Sequence, residues 1–483
     1  MKLDKLLNRI DYIGDISREI DIGNIVYDSR NVDNESCFVA IKGALFNGHE
    51  YIENALDRGA RLVIIDDDTF FSNKKPIIKV SNSRHALSDV SANFFGNVSE
   101  RMNLIGVTGT NGKTTVSYIV KKILDELGNS CSYLGTLGFM INDEILSTGF
   151  TTPESLELHS MLKLIKSSGI NYSVMEVSSH SLDQYRVASI RFETAVFTNL
   201  TQDHLDYHEN MENYFNAKLK LFTNLDQDSY SVINIDDSYG RRLYKDINSN
   251  KISYGFNNAA DIYSKKIKSS FNKTNCTISI FKESFEFESN LIGDYNISNI
   301  MAAIGSLISI GFNPSDIIDV INEVNLCIPG RMELVSQNQG RYIYIDYAHT
   351  PDAYEKLFTT IKKINKSYEI ILVFGCGGDR DKNKRSKMAY IAEMYCDKIF
   401  VTSDNPRFEK LDTILEDIVG GFKSRKHQVI KDRKLAIESA IDSMGSDSIL
   451  LVLGKGQENY QIIKDSKIFF SDFETIKEYI YAN

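Results

Sequence analysis

The chain has 483 residues, 42% of them apolar and 25% charged, and a formal net charge of −10. That length exceeds what one hydrophobic core supports and sets a prior of roughly three domains, while the composition excludes extensive disorder. The acidic balance excludes a general affinity for nucleic acid or for insertion at an anionic membrane, so a small anionic substrate must be met by local basic groups.

The opening stretch MKLDKLLNRIDYIGDISREI carries acidic residues among its apolar positions and lacks the continuous hydrophobic region of a signal peptide. No apolar run is long enough to span a bilayer, so a cytoplasmic protein is expected. Cys37, Cys131, Cys276, Cys327, Cys376 and Cys396 are scattered without a C-x-x-C pair or zinc spacing and read as reduced thiols. Short strand-like runs at 24–27, 37–41, 61–65 and 76–80 surround a helical stretch near 51–58, which predicts a small α/β domain. A buried-strand run at 103–107 then leads through a glycine loop into an amphipathic helix over about 114–127. Further buried-strand runs at 172–177, 194–198 and 231–235, with helical segments between, predict a largely parallel sheet. Hairpin-like strands follow at 276–281 and 284–288, then a helix over 298–310. The segment Cys327-Ile328-Pro329-Gly330-Arg331 interrupts both periodicities and reads as a hinge. Beyond it, strands at 342–345, 369–374, 398–402 and 449–453 alternate with helical stretches, as in a doubly wound, Rossmann-like domain.

The glycine loop is Gly109-Thr110-Asn111-Gly112-Lys113-Thr114-Thr115. Val107 stands where the strict G-x-x-x-x-G-K-[ST] pattern has its first glycine, so the signal is a shorter G-x-x-G-K-T, strengthened by its strand-to-helix context. Backbone N–H groups there form an anion cradle, with Lys113 reaching the outer phosphates of ATP and Thr114 ligating Mg²⁺. Further metal candidates lie at the ends of the next strands: Glu176, and the polar cluster from Asn199 to His208.

At this point the chain resembles the Mur ligases of peptidoglycan synthesis, most closely their MurE members. The resemblance runs in order through DSRNV (28–32), GTNGKTT (109–115), TTPE (151–154), MEVSSHSLDQYRV (175–187), TNLTQDHLDYH (198–208), NAKLKLF (216–222), GDYNISN (293–299), PGRME (329–333), DYAHTPDA (346–353), FGCGGDRDKNKR (374–385), SDNPR (403–407) and GKGQE (454–458). It implies an α/β fold of three domains: a small UDP-sugar-binding domain at 1–98, a central ATP-binding domain with a mostly parallel sheet at 99–330, and a Rossmann-like amino-acid-binding domain at 331–483. It departs from the family at Gln202, where an Arg is common, at Gln457, where a His is common, and at Phe408-Glu409-Lys410-Leu411, which lacks the usual Pro.

The activity implied is ATP-dependent amide formation through an acyl phosphate, in which meso-2,6-diaminopimelate joins the D-glutamate carboxylate of UDP-N-acetylmuramoyl-L-alanyl-D-glutamate. Lys113, Glu176, His204 and Lys218 are the implied catalytic residues. Thr114, Glu176, His204 and a carbamylated Lys218 would be associated with Mg²⁺. The loop 109–115 together with Asn296, Asn299, Arg331 and Asp346 would hold ATP. The sugar nucleotide would touch Ser29, Thr151, Thr152, Ser178, Gln184 and Arg186. The added amino acid would meet Arg380, Asp404, Asn405, Pro406, Arg407, Gly454 and Glu458. In the resemblance, DNPR marks diaminopimelate, and the physics agrees, since a guanidinium pairs with the distal carboxylate that lysine lacks. The alternatives are a lysine-adding relative and a nucleotide-binding module without ligase chemistry. Folylpolyglutamate synthase shares the ATPase architecture, but DSRNV and DNPR speak against it.

Overall fold

In each of the three principal sheets the central strands are apolar on both faces, and that pattern follows from helices or loops packing on either side. In the strand Asn103–Thr108, Leu104 enters one core while Ile105 and Val107 enter the opposite one. In Glu369–Phe374, Ile370, Leu372 and Phe374 face one core and Ile371 and Val373 the other. Cys37 and Val39 are likewise divided from Phe38 and Ala40. The computed structural model describes residues 1–482 except 18, 44–45, 73–74, 143, 147–148 and 425.

The N-terminal sheet is parallel throughout, in the order Asn24–Val26, Ser36–Val39, Leu62–Ile65, Ile77–Lys79. The central sheet has eleven strands. Its middle is parallel, running Ile262–Ser269, Asn250–Gly255, Tyr230–Asn234, Thr194–Phe197, Asn103–Thr108, Tyr172–Glu176, Cys131–Gly135. Antiparallel strands extend both edges: the hairpin Thr274–Ile280/Glu283–Ser289 on one side, and Gly138–Ile141 with Glu144–Leu146 on the other. The C-terminal sheet runs Glu333–Asn338, Arg341–Asp346, Ser448–Leu453, Glu369–Phe374, Lys398–Val401, His427–Val429, parallel except for its first pair.

Strand and helix ends differ from the sequence expectation by a residue or two, with two instructive exceptions. The helix expected over 298–310 spans Asp294–Ser309, because Asp294 favours its first turn electrostatically. Asn296 and Asn299 therefore share one helix face at a spacing of three. The helix Ser83–Phe95 was not anticipated. Its buried face holds Ser83, Ser88 and Ser91 among Ala86, Leu87 and Val90, which weakens the apolar period, yet Asn82 caps it and Gly96 ends it in the left-handed region. Among the described residues no helix is long and apolar enough to cross a membrane, and all six cysteines are free thiols.

Polar contacts tie the sheets together. Tyr27 donates to Glu157 at 2.8 Å, Ser189 donates to Asp89 at 2.6 Å, and Glu154 pairs with both Arg84 and Arg186, at 3.4 and 2.9 Å. Within the C-terminal region Arg433, fully buried, forks onto Asp472 at 2.7 Å and donates to the carbonyls of Ser403 and Leu453. Removing one partner of a buried pair leaves the other charge uncompensated. Asp472→Asn is expected to destabilise this region by about 3–5 kcal/mol, read as a lowered urea midpoint.

Candidate active site

The loop Gly109–Gly112 joins the end of a central strand to the helix Lys113–Glu126. Gly112 has φ +90°, and a Cβ there would lie 2.5 Å from Asn299 Oδ1, so only glycine lets the loop pass that close to the Asn296/Asn299 face. The Lys113 ammonium folds over the loop, donating to the carbonyls of Gly109 and Thr110 at 2.9 Å. Burial lowers its pKa from the ordinary lysine value, against the pull of Glu176 and Asp203.

Glu176 ends the adjoining parallel strand and is fully buried. Its carboxylate accepts four hydrogen bonds. Tyr133 Oη and the Thr136 amide donate to Oε1, the amide at 2.8 Å. Thr114 Oγ1 and Thr136 Oγ1 donate to Oε2, at 3.0 and 3.1 Å. Thr136 Oγ1 lies 3.3 Å from Thr151 Oγ1, and Thr152 donates to the Glu176 carbonyl at 2.9 Å. A continuous polar chain thus runs from the glycine loop to the TTPE segment. Along it Ser178 Oγ stands 3.4 Å from Thr152, and Arg186 donates to the Thr152 carbonyl and to Gln184 at 2.8 and 2.7 Å. Ser29 lies on the N-terminal side, two residues beyond the Tyr27 that bonds to Glu157.

Lys218, on the helix Met211–Thr223, is buried beneath the loop. Its Nζ donates to the Gly109 carbonyl at 3.0 Å and sits 4.7 Å from the Tyr214 ring centroid. Burial, and then the neighbouring Lys113, hold its pKa well below the ordinary value. His204 adopts φ +53° beside Asp203, with its ring 4.9 Å from that of His180, and burial holds it below the usual histidine range.

The third sheet closes on the loop from the far side. Arg331 donates to Thr114 Oγ1 at 3.2 Å and to Gln457 at 3.3 Å, and its guanidinium lies 4.4 Å from the Tyr347 ring centroid. Asn111 donates to Asp352 at 3.0 Å. Asp346, whose pKa burial raises, accepts from the Met332 and Ala348 amides at 2.7 Å. Farther along the same sheet edge, Asn405 donates to Glu458 at 2.8 Å, Arg407 donates to the Gly378 carbonyl at 2.7 Å, and Asp404 is buried beside Gly454. Lys455, fully buried, lies 3.3 Å from Glu458 and donates to the Tyr460 carbonyl. Arg380 is exposed on its loop and donates to the adjacent Asp379 carbonyl at 3.3 Å.

The structure brings Lys113, Thr114, Glu176, Lys218 and Arg331 around one loop, and the charges of Lys113 and Lys218 act on the His204 imidazole. Among the described residues no group of three His, Cys, Asp or Glu side chains could hold a metal by itself. The donor set fits Mg²⁺ bound through a nucleotide. Thr114 Oγ1 and Glu176 Oε2, 3.0 Å apart, match the edge of about 3 Å in an oxygen octahedron, and phosphates would supply most other ligands. Arg331 reaches the glycine-loop helix at Thr114. Sequence reasoning missed Tyr133, Thr136, Glu154 and Lys455. Glu154 and Lys455 lie inside quoted motifs, but Tyr133 and Thr136 become visible only once the strand Cys131–Gly135 is paired beside Tyr172–Glu176.

Three family models match the chain: Mur ligase family, catalytic domain, at residues 21–95; Mur ligase middle domain at 107–307; and Mur ligase, glutamate ligase domain, at 330–456. The UDP-N-acetylmuramoyl-L-alanyl-D-glutamate--2,6-diaminopimelate ligase of Clostridium tetani is 40% identical over 488 residues, covering 99% of each chain. The ligase of the same name from Aquifex aeolicus is 42% identical over 458 residues, covering 95% of this chain and 93% of its own. A solved structure of a ligase of that name superposes with a TM-score of 0.72 at 30% identity, covering 100% of this chain and 99% of the other. MurF of Thermotoga maritima in complex with ADP shares the fold, with a TM-score of 0.64 at 19% identity, covering 95% and 97%.

Tyr133→Phe removes one donor from the buried Glu176 carboxylate while keeping the ring. It is expected to weaken Mg²⁺-nucleotide binding about 10–100-fold by calorimetry. Unchanged affinity would remove this donor from the site.

Proposed function

The chain belongs to the Mur ligase family, and we propose that it is the member that joins meso-2,6-diaminopimelate to the D-glutamate carboxylate of UDP-N-acetylmuramoyl-L-alanyl-D-glutamate at the expense of ATP. The observation that carries the choice of amino acid is the pair of opposite poles on the 405–407 segment. Asn405 holds the Glu458 carboxylate, and two residues on, Arg407 presents a guanidinium with one nitrogen anchored on Gly378. The distal end of diaminopimelate is a zwitterion, with one group for each pole. Lysine offers an ammonium alone and would leave the guanidinium unpaired, a penalty far larger than that of a missing methylene in an apolar pocket.

The reaction follows from the charges around the loop. A carboxylate resists amines because oxide cannot leave, so its oxygen first attacks the γ-phosphorus of ATP and ADP departs. Lys113 and Arg331, converging on Thr114 and the glycine loop, neutralise charge on the transferring phosphoryl group. One Mg²⁺ held by Thr114, and a second held by Glu176 and His204, would screen the same phosphates when bound. The neutral amine of the incoming amino acid then attacks the acyl carbon, the carbon–oxygen bond to phosphate breaks, and the nitrogen releases its proton. Asn296, Asn299 and Asp346 flank the nucleotide on the helix and hinge sides, so that the third domain completes the site as it closes. Ser29, Thr151, Thr152, Ser178, Gln184 and Arg186 line the sugar-nucleotide channel, with Glu154 holding Arg186 in register. Arg380, Asp404, Asn405, Pro406, Arg407, Gly454 and Glu458 form the amino-acid pocket. On this reading the enzyme works in the cytoplasm, which supplies ATP and keeps the six thiols reduced.

Lys218 is read as the carbamylated lysine of this site. A free amine must be neutral to add to CO₂, and burial of Lys218, which lowers its pKa, favours that form. Protein equilibrated with ¹³C-bicarbonate should give a carbamate carbon signal that is absent from Lys218→Ala. An identical spectrum for the two proteins would rule the modification out.

ATP-dependent phosphate release in the presence of the sugar-nucleotide dipeptide should require diaminopimelate and fail with lysine. Turnover with lysine alone would reverse the assignment, and nucleotide binding without any turnover would make the chain a binding module. Arg407→Ala should raise KM for diaminopimelate about 100-fold, the loss of a charged hydrogen-bond pair.

A further inference from the structure

We propose that the Arg385–Glu409 ion pair is a positioning clamp that sets the separation of the two arginine-bearing loops of the amino-acid pocket and thereby tunes selection of the distal carboxylate. This rests on the reading that Arg407 and Arg380 address that end of the substrate. Neither clamp residue belongs to the pocket set above.

Arg385 projects from the first turn of the helix Asn383–Tyr395, and its side chain is fully buried. A buried guanidinium is costly unless most of its donors are used. Here one terminal nitrogen donates to Glu409 Oε1 and Asp417 Oδ2, at 2.9 and 2.8 Å. The other donates to Glu409 Oε2 at 2.7 Å and to the Gly377 carbonyl at 3.1 Å. The fork therefore grips the glycine loop that leads to Arg380 and, through Glu409, the segment that follows Arg407. Glu409 closes the arrangement by accepting from the Asp379 amide at 3.2 Å, while Asp379 accepts from the Phe408 amide at 3.1 Å. Lys382 adds a second cation to Glu409 at 3.1 Å. Hydrogen bonding to Arg385 holds the Glu409 carboxyl down to about 2, so the clamp stays charged across the working pH range.

The loops it joins are already in backbone contact. Gly378 N donates to the Asn405 carbonyl at 2.9 Å, and a Cβ on Gly378 would lie 2.0 Å from the Pro406 carbonyl oxygen. Arg407 has φ +52°, an uncommon conformation for a residue with a side chain, and it is held by its bond to Gly378 and by its amide on Ile462. Pairing with a carboxylate through two parallel N–H groups depends on fractions of an ångström, so rigidity behind the guanidinium contributes as much as the guanidinium itself. Among the described residues the hydrogen bonds of Arg385 go to Glu409, Asp417 and the Gly377 carbonyl, outside the pocket set, so on this proposal it acts through the loops.

The test uses the full-length enzyme with ATP, the sugar-nucleotide dipeptide and either diaminopimelate or lysine. Glu409→Gln keeps shape and removes charge, while Glu409→Asp keeps charge and shortens the reach. Each is expected to raise KM for diaminopimelate about tenfold and to lower the diaminopimelate-over-lysine ratio of kcat/KM by a similar factor, with KM for ATP and for the sugar nucleotide within about twofold of the parent. Two variants keep the test alive if one fails to fold. A parallel rise in all three KM values together with a lowered Tm would overturn the clamp in favour of general support of the fold. So would unchanged KM and selectivity in a variant that folds, while Arg407→Ala still weakens diaminopimelate. If Arg407→Ala also leaves diaminopimelate binding intact, the pocket assignment fails first and the clamp fails with it.

Discussion

The buried Glu176 carboxylate is the constraint on which the central architecture turns. Taking an unpaired carboxylate out of water costs several kcal/mol, so the fold must bring donors to it from every side. They come from the glycine-loop helix through Thr114, from the neighbouring strand through Tyr133, and from the turn beyond that strand through Thr136. One carboxylate thus fixes the relative placement of three elements. The same cluster hands its geometry on to Thr151 and Thr152, so the glycine loop and the TTPE segment are built on one hydrogen-bonded chain.

The contacts that bring the third sheet to this centre are of a different kind. Arg331 to Thr114, Asn111 to Asp352, and Lys363 to Asp294 are polar and individually replaceable by water. Apolar burial accompanies them: Phe271 and Ile292 of the central region pack into the core of the third sheet, with the Phe271 ring 4.6 Å from that of Tyr368. Gly330, in the left-handed region, lies against Gly456 and Gln457, where a Cβ would meet the Gln457 amide nitrogen at 2.1 Å. The Pro329-Gly330 break and the GKGQE segment are therefore in direct backbone contact. Gln457 receives a hydrogen bond from Arg331, so this departure from the family pattern supplies an acceptor to the guanidinium, while Phe408 projects into solvent.

Much of this was legible in the chain before any coordinates. Continuous apolar runs such as 104–107 and 370–374 announce strands covered on both faces, because period-two alternation disappears when neither face meets water. The strand, glycine loop and helix at 103–126 follow from local sequence alone, as does the Pro-Gly break at 329–330. The serine-rich helix Ser83–Phe95 escaped because packing against a neighbouring helix, rather than apolar periodicity, selects its small buried residues. Asn296 and Asn299 were known as residues, but their common face required the helix to begin at Asp294.

What the sequence determined, then, is which residues are available and on which local element each one sits, since both are governed by interactions within a few positions along the chain. What only the tertiary structure decided is adjacency. Strand order seats Cys131–Gly135 beside Tyr172–Glu176 and so delivers Tyr133 and Thr136 to Glu176 from about forty positions away. Closure of the third sheet directs Arg331 to Thr114 across 217 positions. These pairings depend on desolvation and on charges compensating one another in a shared interior, quantities that exist only once the sheets have packed.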